Sequence, residues 1–525
     1  MKQYKEYIFN ILPCIGYGLL CGSVTGVLIF FYKLAADNLT KLSAGIYDRA
    51  LHSPLLIFAV FAGLIVFACL TAFLQKKIPE MRGGGIPRCE GILRGVLTFS
   101  RLRTLAGTAI GSFISFFCGL PVGSEGPAVL IGTALGGICS GPDGKKSAWS
   151  RYVMSGGAAA GFAVATGSPL SAMLFALEEI HKRFTPMLVL TVSVSVLSAT
   201  FFNELLCSLT GISPALITAP VFNDFKLEDV PYLLALGVII AFAVGFFDAS
   251  LGYFGKFIKR LKIKMPDSVR LIVVFVFSGV MGLFFREGAF SGHDIIENIL
   301  SYGESAALLI AVLAVRMIMM ILVTDSGATG GIFVPTLAIG ALVGAISGRM
   351  LVFAGMPEDL FPAVVMLGMC AFLGGTLRAP LTAAIFFTEL TGRFTNFFYV
   401  ALVIFVVNCI TNIFNQTPFY DRVLESLEEN QNEGKQPRIT SFRMKVSDGA
   451  FVTGKTVRDI MWPPSCVVLS ITRADNPCQD LDHDGEKKLF DGDTVIVRAK
   501  IYDENTLRKS LEGLVGTQYP IEEIT

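Results

Sequence analysis

The sequence predicts an all-α polytopic membrane protein made of two related halves, followed by a small α+β domain. Three observations lead there. Of the 525 residues, 53% are hydrophobic and only 16% are charged, against about 25% charged in an ordinary soluble domain, and the mean hydropathy is +0.62. The charge deficit is confined to residues 1–418, whereas 421–525 carry the charge of a soluble domain. Sequence also recurs between the two parts of the apolar region.

The apolar segments follow closely on one another: 8–32, 54–75, 98–119, 126–140, 149–166, 169–181, 185–207, 231–258, 268–286, 306–324, 332–352, 361–377, 379–391 and 396–414. Several reach the ~20 residues that a bilayer span needs. Others are shorter, or are interrupted at Gly126-Pro127, Ser168-Pro169, Val334-Pro335 and Ala379-Pro380, each placed to start a new helix. Broken helices are tolerated in a membrane only where they line a cavity or are packed in protein. The first segment is too long for a signal-peptide core and has no small-residue cleavage site. It reads as a retained span with its N-terminus in the cytoplasm. Lys76, Lys77, Arg82, Arg88, Arg94, Arg101 and Arg103 mark a cytoplasmic loop.

The recurrence is specific. Residues 168–178 read SPLSAMLFALE and residues 379–389 read APLTAAIFFTE. Upstream of each lies Gly-x-x-x-Pro, at Gly123–Pro127 and Gly331–Pro335, and Gly132 and Gly136 then correspond to Gly340 and Gly344. Paired halves of this kind place a transporter's substrate site where they meet, with half-helix N-termini facing an anion. Similarity alone leaves parallel and inverted arrangements open.

Residues 425–436 (ESLEENQNEGKQ) extend a helix out of the membrane, and 431–438 serve as linker. From 439 onward, apolar and polar residues alternate at 442–446, 466–471 and 494–499, and a helix is expected over 504–515. The net charge of +1 argues against nucleic acid as a partner. Most cysteines lie in apolar segments as small packing residues rather than disulfide partners. No cofactor and no metal are expected.

Three glycine-rich elements can cradle one ion: Gly83-Gly84-Gly85-Ile86-Pro87, Gly123-Ser124-Glu125-Gly126-Pro127 and Gly330–Pro335. Each precedes a helix start, where unpaired N–H groups attract anions. Glu125 is the most informative residue. An ionisable group at membrane depth marks an ion or proton pathway. A carboxylate at such a turn is a tethered anion that competes with a mobile one.

These motifs resemble those of the CLC family of chloride channels and chloride–proton exchangers. The family's G-S-G-I-P appears as residues 83–87, its G-R-E-G-P as 123–127, its G-I-F-x-P as 331–335, and its late tyrosine as Tyr420. The resemblance covers about residues 10–430. It implies two inverted halves of broken and tilted helices, one pore per subunit, a homodimer, a multi-pass position in a bacterial plasma membrane, and both termini in the cytoplasm. It assigns Glu125 as external gate and proton acceptor, and Glu179 as internal proton-transfer residue. It assigns Gly84, Gly85, Ser124, Glu125, Gly126, Ile332, Phe333 and Tyr420 to the anion path. The implied activity is chloride transport coupled to protons; a passive voltage- or ligand-gated chloride channel, or an exchanger preferring nitrate or fluoride, are the alternatives. Two departures bear on this: Gly84 replaces the family's central serine, and Ser124 replaces its arginine. The tail (439–525) is similar to TrkA-C regulatory modules of potassium-uptake proteins, which implies an unknown small-molecule ligand or a dimerising role. Its Gly449–Thr456 stretch fits the phosphate-loop pattern but lacks a following helix of useful length. Asp480–Gly485 approaches a calcium loop without its final Glu. Glu178-x-x-His181 has the spacing of a di-metal motif but no second copy. All three are expected to be unoccupied by metal or nucleotide.

Overall fold

The computed structural model describes residues 2–524 except 98–99, 142–146, 261–264, 301–304, 415–416, 432–437, 464–465, 475–479, 482–484 and 502–503. The first half contains α1 (Lys2–Ala50), α2 (Pro54–Lys77), α3 (Gly85–Leu93), α4 (Arg101–Phe117), α5 (Glu125–Cys139), α6 (Ser147–Thr166), α7 (Pro169–Phe175) and α8 (Pro186–Thr210). The second contains α9 (Val230–Arg260), α10 (Asp267–Phe284), α11 (His293–Ile299), α12 (Ala306–Ser326), α13 (Phe333–Phe353), α14 (Phe361–Leu377), α15 (Pro380–Thr391), α16 (Phe397–Ile413) and α17 (Phe419–Gln431). Among the described residues, nine helices are long and apolar enough to cross a membrane.

The halves are inverted. Gly123 and Gly331 pair in antiparallel sense, each N–H donating to the other's carbonyl at 2.7 and 2.8 Å. Behind this pair, α5 crosses α6 and α13 crosses α14 through small residues. A Cβ on Gly132 would stand 2.1 Å from the Gly157 carbonyl, and one on Gly368 would stand 2.5 Å from the Gly344 Cα. Between apolar helices in lipid, such close backbone approach supplies the packing that water would otherwise drive. The four glycines matched by sequence are therefore the crossing points.

Two expectations change. The first span is not 8–32 but one helix to Ala50, because its polar second half (Lys33, Asp37, Lys41) lines a water-accessible cavity. The basic cluster is not all loop. It folds in part into α3, where Arg88 is buried and donates to the Arg82 carbonyl at 3.3 Å.

The C-terminal domain is an antiparallel five-stranded sheet of order β3-β2-β4-β1-β5. Its strands are β1 (Arg438–Lys445), β2 (Cys466–Thr472), β3 (Asp480–Leu481), β4 (Thr494–Ile501) and β5 (Glu522–Ile524). Its helix is α18 (Glu504–Val515). Strand β1 opens one residue inside the expected linker. The core gathers Phe442, Met444, Ile471, Val495 and Val497, inward positions of the predicted alternation, with Leu511 of α18. The domain rests on the start of α6. The Tyr152 hydroxyl donates to the Asp459 carbonyl at 2.9 Å, Arg151 donates to the Met461 carbonyl at 3.2 Å, and the Phe451 ring meets Trp149 edge-on at 5.3 Å.

Candidate functional site

Three helix starts converge at the seam. In α3, α5 and α13 the proline is the third helical residue, where its missing N–H removes no intrahelical bond. Their N-termini are in backbone contact. A Cβ on Gly85 would lie 2.0 Å from the Gly126 carbonyl, and one on Gly126 would lie 2.7 Å from the Gly331 Cα. Gly83 donates to the Gly327 carbonyl at 3.0 Å, with φ of +88°, so the turn before α3 favours glycine. Each N-terminus carries about half a positive charge. Together they make an electropositive point without any lysine or arginine.

Glu125 is fully buried at this point. Its Oε1 accepts a bond from the Ser124 hydroxyl at 3.2 Å. Its Oε2 curls back over Gly123, where a Cβ would be 2.2 Å away and 3.3 Å from Val334, and has no hydrogen-bond partner among the described residues. The residue also lines a cavity of about 800 Å³, with Lys33, Asp37, Ser124 and Arg316 on its walls. A smaller cavity of about 50 Å³ touches Gly84, Ile332 and Arg82, against α17. Phe333 is held by rings behind it, edge-on to Phe162 at 5.0 Å and to Phe386 at 5.7 Å.

Tyr420, at the start of α17, is buried, and its hydroxyl has no hydrogen-bond partner among the described residues. It lies within electrostatic reach of Glu179, Glu125 and Glu90. Glu179 is 2% exposed. It faces a cluster containing Glu90, Arg94, Lys182 and Asp421. There Arg94 pairs with Glu90, and Lys182 pairs with Asp421 at 3.0 Å and with Glu90 at 3.9 Å. Sequence reasoning overlooked Glu90; its signal was an acidic residue inside a nine-residue helix opening on the glycine turn.

Glu178 and Glu179 both lie in a π-helical turn, Ala176–Ile180, that continues α7. Such wide turns are rare and recur at functional sites. Glu179 points into the protein, while Glu178 reaches the other half. Glu178 accepts from the N–H groups of Leu381 and Thr382 at 3.0 and 2.7 Å, and from the Thr382 hydroxyl at 2.7 Å. Glu389 does the same for α7, accepting from Leu170 and Ser171 N–H at 2.7 and 2.8 Å and from the Ser171 hydroxyl at 2.5 Å. The final glutamates of the two repeated segments thus cap each other's helices.

The rejected motifs resolve physically. Lys455 of the phosphate-loop pattern is buried, donates to the Phe451 carbonyl and lies over the Phe451 ring. Only a short 3-10 turn, Val457–Asp459, follows it. His181 bonds the Ser155 hydroxyl at 2.6 Å. The middle of the calcium-like loop, 482–484, lies outside the described residues.

Residues 64–412 match the family model described as voltage gated chloride channel. The chain belongs to the voltage-gated chloride channel (CLC) family. Among curated relatives of this family, the chain is 28% identical over 433 residues to the H(+)/Cl(-) exchange transporter ClcA of Vibrio cholerae serotype O1, covering 80% of this chain and 90% of that one. It is 27% identical over 426 residues to ClcA of Citrobacter koseri, covering 77% and 86%. Among solved structures it is similar to a slow cyanobacterial Cl-/H+ antiporter, with TM-score 0.72, 24% identity and coverage of 80% and 99%. It is also similar to a CLC-type fluoride/proton antiporter, with TM-score 0.64, 19% identity and coverage of 77% and 97%. These two likenesses establish the CLC fold.

Proposed function

We propose that this chain exchanges chloride for protons across a membrane, with Glu125 as external gate and proton acceptor and Glu179 as internal proton-transfer residue. One observation carries the reading: the buried Tyr420 hydroxyl, with no hydrogen-bond partner among the described residues, feels the charge of two buried carboxylates that belong to different surroundings. Glu125 opens onto the large vestibule, and Glu179 faces the charged cluster around Glu90. The names of the curated relatives point the same way.

Ionised, the Glu125 carboxylate occupies the cradle of N–H groups as a chloride would. Protonated, it loses that attraction and yields the cradle to the anion. The anion then passes Tyr420 and the N–H groups of Ile332 and Phe333 toward the small cavity beside Gly84. The proton leaves toward Glu179 and the Glu90 cluster, so the two routes part near Tyr420. Helix dipoles hold the anion without a fixed cation, which keeps release fast. We read the chain as one subunit of a homodimer. We read its tail as a TrkA-C-like regulatory domain on the cytoplasmic side.

The test is flux in liposomes given only a chloride gradient, with pH recorded. Proton movement against the chloride gradient supports exchange; robust chloride flux with no proton movement rejects it. The second reading, a passive channel, is favoured by Gly84, which offers the central site no hydroxyl. A reversal potential indifferent to pH would support that channel.

A further inference from the structure

The vestibule above Glu125 is not generally attractive to anions. Asp37, Glu287, Asp294 and Glu297 line it together with Glu125. A local cation must offset them if chloride is to reach the gate, since interactions beyond about 8–10 Å are screened at physiological salt. The vestibule's arginines are committed elsewhere. Arg286 pairs with Asp48 at 2.8 Å. Arg316 donates to the Glu287, Phe290 and Ala289 carbonyls at 2.9, 2.8 and 2.7 Å, and so braces the loop before α11. Ser124 beside the gate is neutral, and Lys41 is exposed.

Lys33 differs. It lies midway along α1 and is half-buried on the vestibule wall. Among the described residues its ammonium reaches only the Pro214 carbonyl, at the long distance of 3.5 Å. It is the cation whose charge acts on Glu125, opposed there by Asp37 one helical turn further on. An ammonium so placed keeps donors available for a passing anion and shares the cavity of the carboxylate that the anion must replace. We propose that Lys33 is the vestibule's anion-capture residue, receiving a small monovalent anion and handing it to the Glu125 cradle. This rests on the proposed transport function. Asp37 sets the strength of the capture by offsetting part of the lysine charge.

The test uses the full-length protein in liposomes, with initial flux measured against chloride on the Glu125 side at constant ionic strength. Lys33→Met raises the half-saturating chloride about three- to tenfold, as loss of one nearby charge interaction implies, with flux at saturation held within about twofold. Lys33→Arg restores the wild-type value. In Lys33→Cys, a membrane-impermeant cationic thiol reagent lowers the half-saturating chloride and an anionic one does not, with the unsubstituted protein as control for its native cysteines. An unchanged half-saturation in Lys33→Met overturns the proposal, as does equal recovery with neutral and cationic reagents, which would indicate a packing role. A lowered maximal flux at unchanged half-saturation overturns it too. A wild-type protein that moves neither chloride, nitrate nor fluoride overturns the transport function itself, and the capture role with it.

Discussion

Glu178→Ala strips the start of α15 of three acceptor contacts, at 3.0, 2.7 and 2.7 Å. A bond to a charged group contributes about 1.5–3 kcal/mol, but these three share one carboxylate, and the Leu381 N–H is exposed, so they do not add. Loss of a helix cap costs about 0.5–2 kcal/mol, and loss of an anion at a helix N-terminus about 0.3–1 kcal/mol. The expected destabilisation is therefore about 2–4 kcal/mol, below the sum of the three bonds taken separately. Glu389→Ala removes the matching set from α7 and should cost about the same. Glu178→Gln keeps one acceptor oxygen and falls between wild type and alanine. The assay is equilibrium unfolding in mixed detergent micelles titrated with sodium dodecyl sulfate. Costs below about 0.5 kcal/mol at both positions, the range of featureless surface changes, would show that the reciprocal caps contribute nothing. A large cost at one position alone would refute their symmetry.

Glu125→Gln should abolish proton movement while anion flux persists or changes in rate; an unaltered proton-to-chloride ratio would remove Glu125 from the gate. Gly84→Ser needs no unusual backbone, since φ is −82°, but the new Cβ would stand 3.1 Å from the Gly330 carbonyl, so that turn must yield slightly. It should raise preference for chloride over nitrate, and identical selectivity would show that this position has no part in ion choice. Gly85→Ala drives a methyl to 2.0 Å from the Gly126 carbonyl, so we expect lost transport and a stability cost of about 1–3 kcal/mol or more; wild-type flux would mean the three helix starts are not in contact. Burial pushes the Lys455 ammonium down from 10.5 to about 8. The unfolded state then binds the extra proton more tightly, so the folded contact strengthens as pH rises from about 8 to 10.5, by up to about 1.4 kcal/mol per unit, and that gain is absent below 8. Trp149, against Phe451 in the contact, reports it by fluorescence; a flat profile would place Lys455 in solvent.

Much of the site was legible because its parts are local. A glycine turn followed by a proline two residues into a helix leaves its signature within five residues, and three such signatures converge here. Glu125 stood out because a carboxylate among apolar residues has few structural uses. The repeat was legible at Glu178 and Glu389 too, as matched carboxylates at matched positions. Their use was not: capping a helix 200 residues away depends on the halves being inverted, which similarity alone leaves open. The wide turn that aims Glu178 outward and Glu179 inward has no marker in the residues 176–180. Glu90 was hidden for the same reason, since its neighbours Arg94, Lys182 and Asp421 come from three elements.

The order of residues by itself determined most spans, the broken helices, the paired halves and the presence of a carboxylate at a glycine turn, because hydropathy, glycine and proline act within a few residues of themselves. Only the tertiary structure decided which helix starts meet, which carboxylate lines the large cavity and which faces the charged cluster, and that Lys33 shares the cavity of Glu125. Those are distances between segments far apart in the chain. They are fixed by backbone packing at Gly85, Gly126 and Gly331, where no side chain intervenes.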